Sequence, residues 1–506
     1  MNSSHSQNPF WLVLLVVGLL GLLSLLKPGL TLGDVELRPV RLLADVLRKD
    51  PAAVARLAAP PPNGPATVAP ADTVVAAAPP DAAEIAAEAG AKLRVPTVPN
   101  LGGLDSFLAA LRQTKADGSP VRIAYFGDSM IEGDLITGDL RNSLQTEFGG
   151  AGVGYVPINS ITADFRSTVR QTFSDDWQEY NLMTPRPPAA YPLGISGHVF
   201  LPRPLPLADS TAGPVGQASW VEFQGGGPFA RVRRFEQAQL FYGPGAAHDE
   251  VLVTTNGREV PHALAGRAAV NTMLLKPVVP ARAMRLAFAT HQARPVYGVS
   301  FESPRGVVLD NFSFRGNSGL ALTKIPFREL AAFGKALDYR LIILHYGVNV
   351  ASASYASYKW YERGMTRVVD RMQRAFPNAS ILIVGMSDKS SRIDGEFVTD
   401  PSVPRLLAAQ QRLAQRNHTA FWNLFEAMGG ENSMVGWVEE SPALANKDYT
   451  HVNYRGAHKI AGLLFGFLMQ QYAQPASTDA SKPAARPDSS GHQPAASPSD
   501  TATAIQ

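Results

Sequence analysis

Continuous apolar runs alternate with amphipathic stretches in two separate parts of this chain. In the first part, the apolar run Val121–Phe126 is followed by Ile136–Phe148, where apolar or long side chains recur at helical spacing. In the second part, the apolar runs Leu341–Tyr346 and Ser380–Gly385 alternate with longer amphipathic segments. Buried strands that alternate with helices predict a parallel sheet covered on both faces. The remaining predicted helices are Leu104–Lys115, Tyr358–Phe376, Val403–Arg416 and Tyr454–Tyr472.

Between these two parts, from residue 149 to residue 308, the pattern changes to short alternating runs separated by Gly, Pro and Asn-Gly turns. A period of two is typical of half-buried strands, and turns at this spacing favour antiparallel sheets. We therefore predict an inserted β-rich domain, similar to a sandwich. The clearest of these runs are Ser219–Phe223, Ala238–Tyr242, Val251–Thr255 and Met284–Ala289.

Aromatic residues of this insert have two interpretations. Two of the alternating runs contain Trp220, Phe223, Phe241 and Tyr242. Such residues are expected in the core of a sandwich, and the alternative is that they stack on sugar rings.

An uncharged, almost wholly apolar run occupies Phe10–Leu26. At about 1.5 Å per residue, a helix of this length is just long enough to span a bilayer. No small-residue cleavage site follows directly, so we predict an uncleaved membrane anchor rather than a signal peptide. The positive charges follow this run, which by the charge rule favours a cytoplasmic location for the rest of the chain.

The predicted domain organisation follows from these changes of pattern. Ala and Pro dominate from Pro51 to Pro99, and a chain of this composition cannot bury enough apolar surface to fold. The C-terminal tail has a similar composition, and we expect it to be disordered. The ranges are 1–9 N-terminal tail, 10–26 anchor, 27–99 linker, 100–148 and 309–473 α/β domain, 149–308 insert, and 474–506 tail.

Composition excludes several classes of function. The 506 residues carry 46 Lys and Arg against 43 Asp and Glu, and this net charge of +3 is too weak to indicate nucleic-acid binding. Cysteine is absent, which excludes disulfides, thiolate catalysis and cysteine-ligated zinc. No histidine pair has metal-ligand spacing, so we expect neither a metal nor another cofactor.

Polar residues with the chemistry of acyl transfer follow the predicted strands. Ser129 comes directly after the first strand, and Asn349 follows the strand Leu341–Tyr346. Ligands gather at the carboxyl ends of parallel strands, so both residues are expected on one edge of the sheet. A serine needs a base to act as a nucleophile, and His451 is preceded at three residues by Asp448, which can orient its ring.

These segments resemble the sequence blocks of the SGNH, or GDSL, hydrolases. Gly127-Asp128-Ser129 resembles block I, Gly347-Val348-Asn349 resembles block III, and Asp448-Tyr449-Thr450-His451 resembles block V. The resemblance implies an α/β fold of flavodoxin-like, three-layer type, here interrupted by the β-sandwich-like insert. Two features depart from the family pattern: Val350 stands where many relatives have aspartate, and the insert is far longer than an ordinary loop.

The resemblance also implies roles for individual residues. Ser129 would be the nucleophile, His451 the base and Asp448 its partner. The block II glycine is assigned to Gly319, with Gly316 as the alternative. The oxyanion hole would then consist of the backbone N–H groups of Ser129 and Gly319 and the side-chain amide of Asn349.

The same resemblance indicates an ester hydrolase. An anchor, a linker and a β-rich insert are similar to the layout of bacterial peptidoglycan and polysaccharide O-acetylesterases. This implies an acylated carbohydrate as substrate, such as peptidoglycan, and a catalytic domain in the periplasm or outside the cell, against the charge rule. The alternatives are an acyltransferase with the same site and a non-catalytic glycan-binding protein of the envelope.

Several other residues near these motifs are expected to have structural rather than catalytic roles. His345 lies within an apolar strand and is expected to be a hydrogen-bonded core histidine. Glu132 and Asp134 closely follow the serine, and we expect solvated carboxylates there, with a role at the substrate mouth as the alternative. The glycines of residues 149–154 lack a preceding strand and a Lys-Ser pair, so they do not indicate a phosphate loop.

Overall fold

The computed structural model describes residues 31–32, 35–36, 103–205, 218–246 and 248–475. The predicted anchor, most of the linker and the tail from residue 476 lie outside these residues. Near the N-terminus, β1 (Thr31–Leu32) and β2 (Val35–Glu36) pair in antiparallel fashion. None of the helices within the described ranges has the length and apolar character needed to cross a bilayer.

The part of the chain from residue 103 onward contains an α/β domain and a β-rich domain. Its strands are β3 (Val121–Gly127), β4 (Gly154–Pro157), β5 (Val169–Phe173), β6 (Gln178–Asn181), β7 (His198–Leu201), β8 (Ser219–Gly225), β9 (Gln237–Tyr242), β10 (Glu250–Thr255), β11 (Arg258–Ala263), β12 (Asn271–Leu275), β13 (Ala283–Ala289), β14 (Val296–Glu302), β15 (Val307–Ser313), β16 (Tyr339–His345), β17 (Ser380–Val384), β18 (Ser390–Ile393), β19 (Glu396–Thr399) and β20 (Ala420–Trp422). Its helices are α1 (Asp105–Asp117), α2 (Thr137–Phe148), α3 (Phe327–Leu337), α4 (Lys359–Ala375), α5 (Ser402–Arg416), α6 (Leu424–Met428), α7 (Ser433–Glu439) and α8 (Tyr454–Ala473).

A sheet of five parallel strands forms the centre of the α/β domain. The spatial order is β15-β3-β16-β17-β20. Numbered by their order along the chain, these strands run 2-1-3-4-5, which is the order of flavodoxin-like folds. The predicted fold class is therefore confirmed.

Each face of this sheet has its own apolar core. Ile123 and Tyr125 of β3 belong to the core that α1, α2 and α8 cover. Ala124 and Phe126 of the same strand belong to the opposite core, under α3, α4 and α5. Successive side chains of a strand point to opposite faces, and a strand covered on both faces is apolar throughout. This is the physical reason for the continuous apolar runs in the sequence.

The insert consists of two antiparallel sheets. Five strands run in the order β11-β10-β13-β8-β5, and the other sheet runs β12-β9-β14-β7-β6 with β4 paired to β14. Buried residues from both sheets, such as Val221 and Leu240, form the core between them. The prediction of an inserted β-rich domain is confirmed.

The predicted aromatic core residues take different positions. Phe223 and Tyr242 lie in the core between the two sheets. Phe241 is buried as well, but its ring faces the α/β domain and contacts Phe333 of α3 with centroids 5.6 Å apart. Trp220 is only half-buried, and the guanidinium of Arg285 lies 3.8 Å from its ring centroid. The prediction of a place in the sandwich core is therefore confirmed for Phe223 and Tyr242 and is wrong for Phe241 and Trp220.

Most predicted helices and strands of the α/β domain begin and end within two residues of the observed ones. The sequence pattern does not predict α3 or the hairpin of β18 and β19. The boundaries assigned above to the two domains stay predictions.

Candidate active site

Three neighbouring strands of the parallel sheet end side by side. Gly127 at the end of β3 lies between Ser313 of β15 and His345 of β16 in the strand register. The segments that carry Ser129, the Gly316–Gly319 turn and Asn349 therefore leave the sheet at the same edge. This edge is where flavodoxin-like folds bind their ligands, at the point where the strand order reverses.

The structure brings Ser129, His451 and Asp448 together in one chain of hydrogen bonds. Ser129 Oγ lies 3.0 Å from His451 Nε2, and His451 Nδ1 lies 2.8 Å from Asp448 Oδ2. With the proton on Nδ1, the ring donates to the aspartate and accepts the serine hydroxyl proton at Nε2. This is the arrangement in which a histidine acts as a base toward a serine.

Hydrogen bonds within the last loop keep Asp448 in its charged form. Its Oδ1 accepts the backbone N–H groups of Thr450 and His451, each at 3.0 Å. Although partial burial opposes it, these bonds and the ring of His451 hold the pKa of Asp448 below its usual value. The carboxylate is therefore available to stabilise an imidazolium.

The loop that carries Asp448 and His451 is supported by the β18–β19 hairpin. Tyr449 lies between them with a φ of +54°, a left-handed conformation. Its ring stacks on Phe397 of β19, with centroids 3.7 Å apart, and its carbonyl accepts the N–H of Ser390 at 2.9 Å. These contacts fix a strained residue between the acid and the base.

Asp128 and Asn349 form a second contact across the edge. Asn349 Nδ2 donates to Asp128 Oδ2 at 3.1 Å and to the carbonyl of Asn317 at 3.3 Å. Asp128 is almost wholly buried, and burial raises its pKa to about 6 even though Met130 N–H and Asn349 donate to it. The side-chain amide of Asn349 is therefore held between the segments after β3 and β15.

Glycine is required at the turn after β16. Gly347 has a φ of +156°, and a Cβ atom there would lie 2.5 Å from Met386 Cβ. The turn continues with a hydrogen bond from Val350 N–H to the carbonyl of Gly347 at 2.8 Å, which places Asn349 at its tip. Packing against Met386 thus requires the glycine, and the turn sets the position of Asn349 two residues later.

The predicted oxyanion donors are all at this edge, and two of them have protein acceptors. Gly319 N–H donates to Asn317 Oδ1 at 2.9 Å, while Asn349 donates to Asp128 and Asn317 as described. Gly319 has a φ of +91°, and a Cβ there would lie 2.9 Å from the Tyr346 ring. The alternative glycine, Gly316, is exposed with a φ of +75°. The assignment of these donors stays a prediction.

The expectation of solvated carboxylates at Glu132 and Asp134 is wrong, because both are buried. Glu132 accepts from Nε and Nη2 of Arg315, at 3.0 and 2.7 Å. Asp134 accepts from Arg166 at 2.8 Å and from Arg141 at 3.3 Å. Although burial opposes ionisation, the two arginines hold the pKa of Asp134 well below its usual value. Ionic contacts from distant residues provide the compensation that buried carboxylates need.

His345 is a core histidine, as expected. It is buried, its Nδ1 lies 3.1 Å from the hydroxyl of Tyr125, and burial lowers its pKa to about 4. Within the described residues, no group of three or more His, Asp or Glu side chains is placed to hold a metal ion.

Sequence reasoning missed Asp128 and Asn317 as parts of this site. Asp128 holds Asn349, and Asn317 accepts from both Asn349 and Gly319. The signal for Asp128 was its place inside block I, next to the serine. Asn317 has no comparable signal, because its contact with Asn349 spans a separation of 32 residues.

Comparison with solved structures supports this fold. The structure is similar to that of a peptidoglycan O-acetylesterase, with a TM-score of 0.59, 20% sequence identity, and coverage of 74% of this chain and 98% of that chain. Weaker likenesses include an acetyl xylan esterase (TM-score 0.24, 15% identity, 32% and 81% coverage). Another is a family two carbohydrate esterase from Clostridium thermocellum (TM-score 0.25, 10% identity, 50% and 93% coverage).

At 20% identity, the first likeness establishes the fold. The chain therefore shares the fold of that solved structure, which in this chain consists of a flavodoxin-like α/β domain and an inserted β-rich domain. No protein-family model matches the chain, and no curated protein sequence matches it.

Proposed function

We propose that this protein is a serine esterase of the SGNH type that removes short acyl groups, chiefly acetyl, from a carbohydrate of the cell envelope. The observation that carries the proposal is the hydrogen-bonded chain from Ser129 through His451 to Asp448, with contacts of 3.0 and 2.8 Å. It lies at the edge of the sheet where such folds bind ligands.

The geometry supports acylation of Ser129. As Oγ attacks the ester carbonyl carbon, the hydroxyl proton moves to Nε2 of His451, and Asp448 stabilises the resulting imidazolium. The bond between the carbonyl carbon and the sugar oxygen then breaks. The proton on Nε2 passes to that oxygen, so the free sugar hydroxyl leaves and Ser129 carries the acyl group.

Water completes the reaction at the same atoms. It attacks the acyl carbon and gives one proton to Nε2 of His451. The bond between the acyl carbon and Ser129 Oγ then breaks. Oγ takes the proton from Nε2, and a carboxylic acid leaves. Both tetrahedral intermediates carry an oxyanion, which the predicted donors at Ser129, Gly319 and Asn349 would stabilise. The donors at Gly319 and Asn349 must then share or exchange their present acceptors.

Hydrolysis of 4-nitrophenyl acetate tests the proposal with a substrate that needs no sugar recognition. The wild-type protein is expected to release 4-nitrophenol, and Ser129→Ala is expected to fall to the background rate. Equal rates for the two proteins would contradict the proposal.

The carbohydrate substrate is inferred from the fold. The solved structure with a TM-score of 0.59 is a peptidoglycan O-acetylesterase, so acetylated peptidoglycan is the first substrate to assay. Release of acetate from it, abolished in Ser129→Ala, would support this substrate. If acetyl groups instead appear on an added sugar acceptor while little acetate is released, the protein is an acyltransferase.

We also propose that residues 10–26 anchor the protein in a membrane and that the catalytic domain is exported. The support is the apolar run and the cell-wall location of the proposed substrate. A reporter enzyme that works only outside the cytoplasm, fused after Gly102, is expected to be active. An inactive reporter with normal expression would exclude cell-wall carbohydrates as substrates.

A further inference from the structure

A cavity of about 280 Å³ lies between the two domains, beside the active-site edge. The α/β domain contributes Glu132 and the segment Asn311–Arg315, and the insert contributes three separate segments. The residues from the insert are Asn159, Glu179, Asn181, Met183, Ser196 and His198, with their neighbours in the loop before β5. Neither domain alone would enclose this space.

The cavity adjoins the nucleophile, although Ser129 is not part of its lining. Glu132, which lines it, belongs to the same short 3₁₀ segment as Ser129. Glu132 pairs with Arg315, which leads directly into the Gly316–Gly319 turn. On the other side, a Cβ atom on Gly316 would lie 3.9 Å from the Met183 methyl group. A substrate attacked by Ser129 would therefore place a neighbouring part of the molecule, not its acyl group, in this cavity.

The wall that the insert contributes is attached to the segment Ser129–Asp134, which is called the nucleophile segment below. Asp134, in that segment, accepts from Arg166 at 2.8 Å, and Asn311 of β15 also donates to it at 2.9 Å. Lys324 donates to the carbonyl of Leu182 at 2.7 Å, which ties the segment before Met183 to the α/β domain. A cavity held by buried contacts on both sides is largely formed before a ligand binds.

The ionic groups of the cavity are paired, so its lining favours an uncharged ligand. Glu132 lies 2.7 Å from Arg315, and Glu179 lies 2.8 Å from His198. Although partial burial opposes it, the contact with His198 lowers the pKa of Glu179. An anionic ligand would have to compete with both carboxylates, while a cation would have to displace their partners.

The rest of the lining matches the two kinds of surface on a sugar ring. The Met183 side chain is 52% exposed, and Phe314 packs against the His198 ring with centroids 5.0 Å apart, which leaves an apolar wall. The polar part of the lining consists of Asn159 and of the hydrogen-bonded pair Asn181 and Glu179, whose remaining N–H and carboxylate oxygen can serve a ligand. Apolar walls with a few placed polar groups are the usual composition of small-ligand sites, and sugar rings combine C–H faces with hydroxyls.

We propose that this cavity is a subsite for an uncharged sugar ring next to the acylated residue of the substrate, and that the insert thereby sets the preference for a glycan. This inference rests on the proposed esterase function for its effect on turnover. The binding of the sugar itself does not depend on turnover, so the two can be tested separately.

The kinetic test compares O-acetylated N,N′,N″-triacetylchitotriose, which is uncharged, with 4-nitrophenyl acetate. Met183→Ala and Glu179→Gln are expected to lower kcat/KM for the acetylated sugar about fivefold more than for the aryl ester, mainly through KM. The matched controls are Leu274→Ala, 51% exposed on β12, and Glu259→Gln on β11. These controls are expected to leave the ratio of the two kcat/KM values as in wild type.

Equal losses on both substrates in the cavity variants, with Ser129-dependent activity in wild type, would overturn the subsite and leave the esterase proposal intact. If no Ser129-dependent activity exists, calorimetric titration of the full-length protein with N,N′,N″-triacetylchitotriose, cellotriose and xylotriose decides whether the subsite binds a sugar. Binding of one of them that weakens about tenfold in Met183→Ala supports the subsite. Absence of binding to all three overturns it.

Discussion

Two aspartates near Ser129 each make a contact of the same length, but in opposite surroundings. In the last loop, Asp448 lies 2.8 Å from His451, and their side chains are 50% and 39% exposed. At the end of the nucleophile segment, Asp134 lies 2.8 Å from Arg166, and their side chains are 0% and 7% exposed. The first contact joins a group that can gain and lose a proton, while the second joins a carboxylate to a permanent cation.

The two contacts therefore have different roles: the contact of Asp448 can take part in a reaction, and the contact of Asp134 stabilises the fold. Exposed ion pairs contribute little to folding, so the contact of Asp448 and His451 is free to serve a reaction. Removing one partner of a buried pair leaves an uncompensated charge, so the contacts of Asp134 hold the insert to the nucleophile segment. Substitutions in the two contacts should therefore change different measured quantities.

The largest expected effect is on catalysis. His451→Ala should lower kcat/KM for 4-nitrophenyl acetate by about 10³–10⁴-fold, because the serine loses its base. Its free energy of unfolding should change by less than about 1 kcal/mol. The matched control is His458→Ala, which removes a histidine at the same 2.8 Å distance from an aspartate, Asp139. If both variants lose activity equally, His451 is not the base.

The next effect is on stability. Asp134→Asn should lower the free energy of unfolding by about 3–5 kcal/mol, because Arg141 and Arg166 lose their buried counter-charge. Urea denaturation of Asp134→Asn and Asp448→Asn, side by side, measures the contrast. The second variant should lose less than about 1 kcal/mol. Similar losses in the two variants would show that burial does not distinguish these contacts.

A third, smaller effect depends on pH. Burial raises the pKa of Asp128 from 3.8 to about 6, so folding takes up a proton between these values. The wild-type protein should therefore lose stability relative to Asp128→Asn as the pH rises through this interval, by roughly 2–3 kcal/mol in total. The difference should be constant above about pH 7. Urea denaturation across the interval measures it, and a pH-independent difference would contradict the burial of the charge.

The smallest effect concerns the support of the last loop. Phe397→Ala removes the ring that stacks on Tyr449, the residue with positive φ between Asp448 and His451. We expect kcat for 4-nitrophenyl acetate to fall about threefold to tenfold as the loop loses its fixed geometry. Phe397→Tyr, which keeps the stack, is the control and should retain most of the activity. Unchanged kcat in both variants would show that the loop holds its geometry without the stack.

The sequence predicts the contact of Asp448 and His451 better than it predicts the buried contacts of Asp134. Ser129 and Asn349 follow buried strands, and Asp448 and His451 are three residues apart, so local patterns point to them. One partner of Asp134, Arg141, lies in the same domain, but the other arginine, Arg166, comes from the insert and is 32 residues away in the chain. Spacing and periodicity report contacts within an element, but long-range ionic contacts depend on how the elements pack.

The same reason explains why the sequence does not predict the strand order of the insert or the cavity beside it. Its alternating runs predict antiparallel strands, and two such sheets are present. Their order is not sequential, since β8 pairs with β13 and β9 pairs with β14. The cavity beside Ser129 is lined by residues of β4, β6, β7 and β15 and of the loops next to them, so no single motif indicates it.

Covalent labelling is the sharpest test of whether His451 activates Ser129. The full-length protein is incubated with diisopropyl fluorophosphate, which reacts with activated serines, and the labelled peptide is identified by mass spectrometry. We expect one label on Ser129, formed far more slowly in His451→Ala and at the wild-type rate in His458→Ala. Labelling of a different serine, or of Ser129 at the same rate without His451, would contradict it.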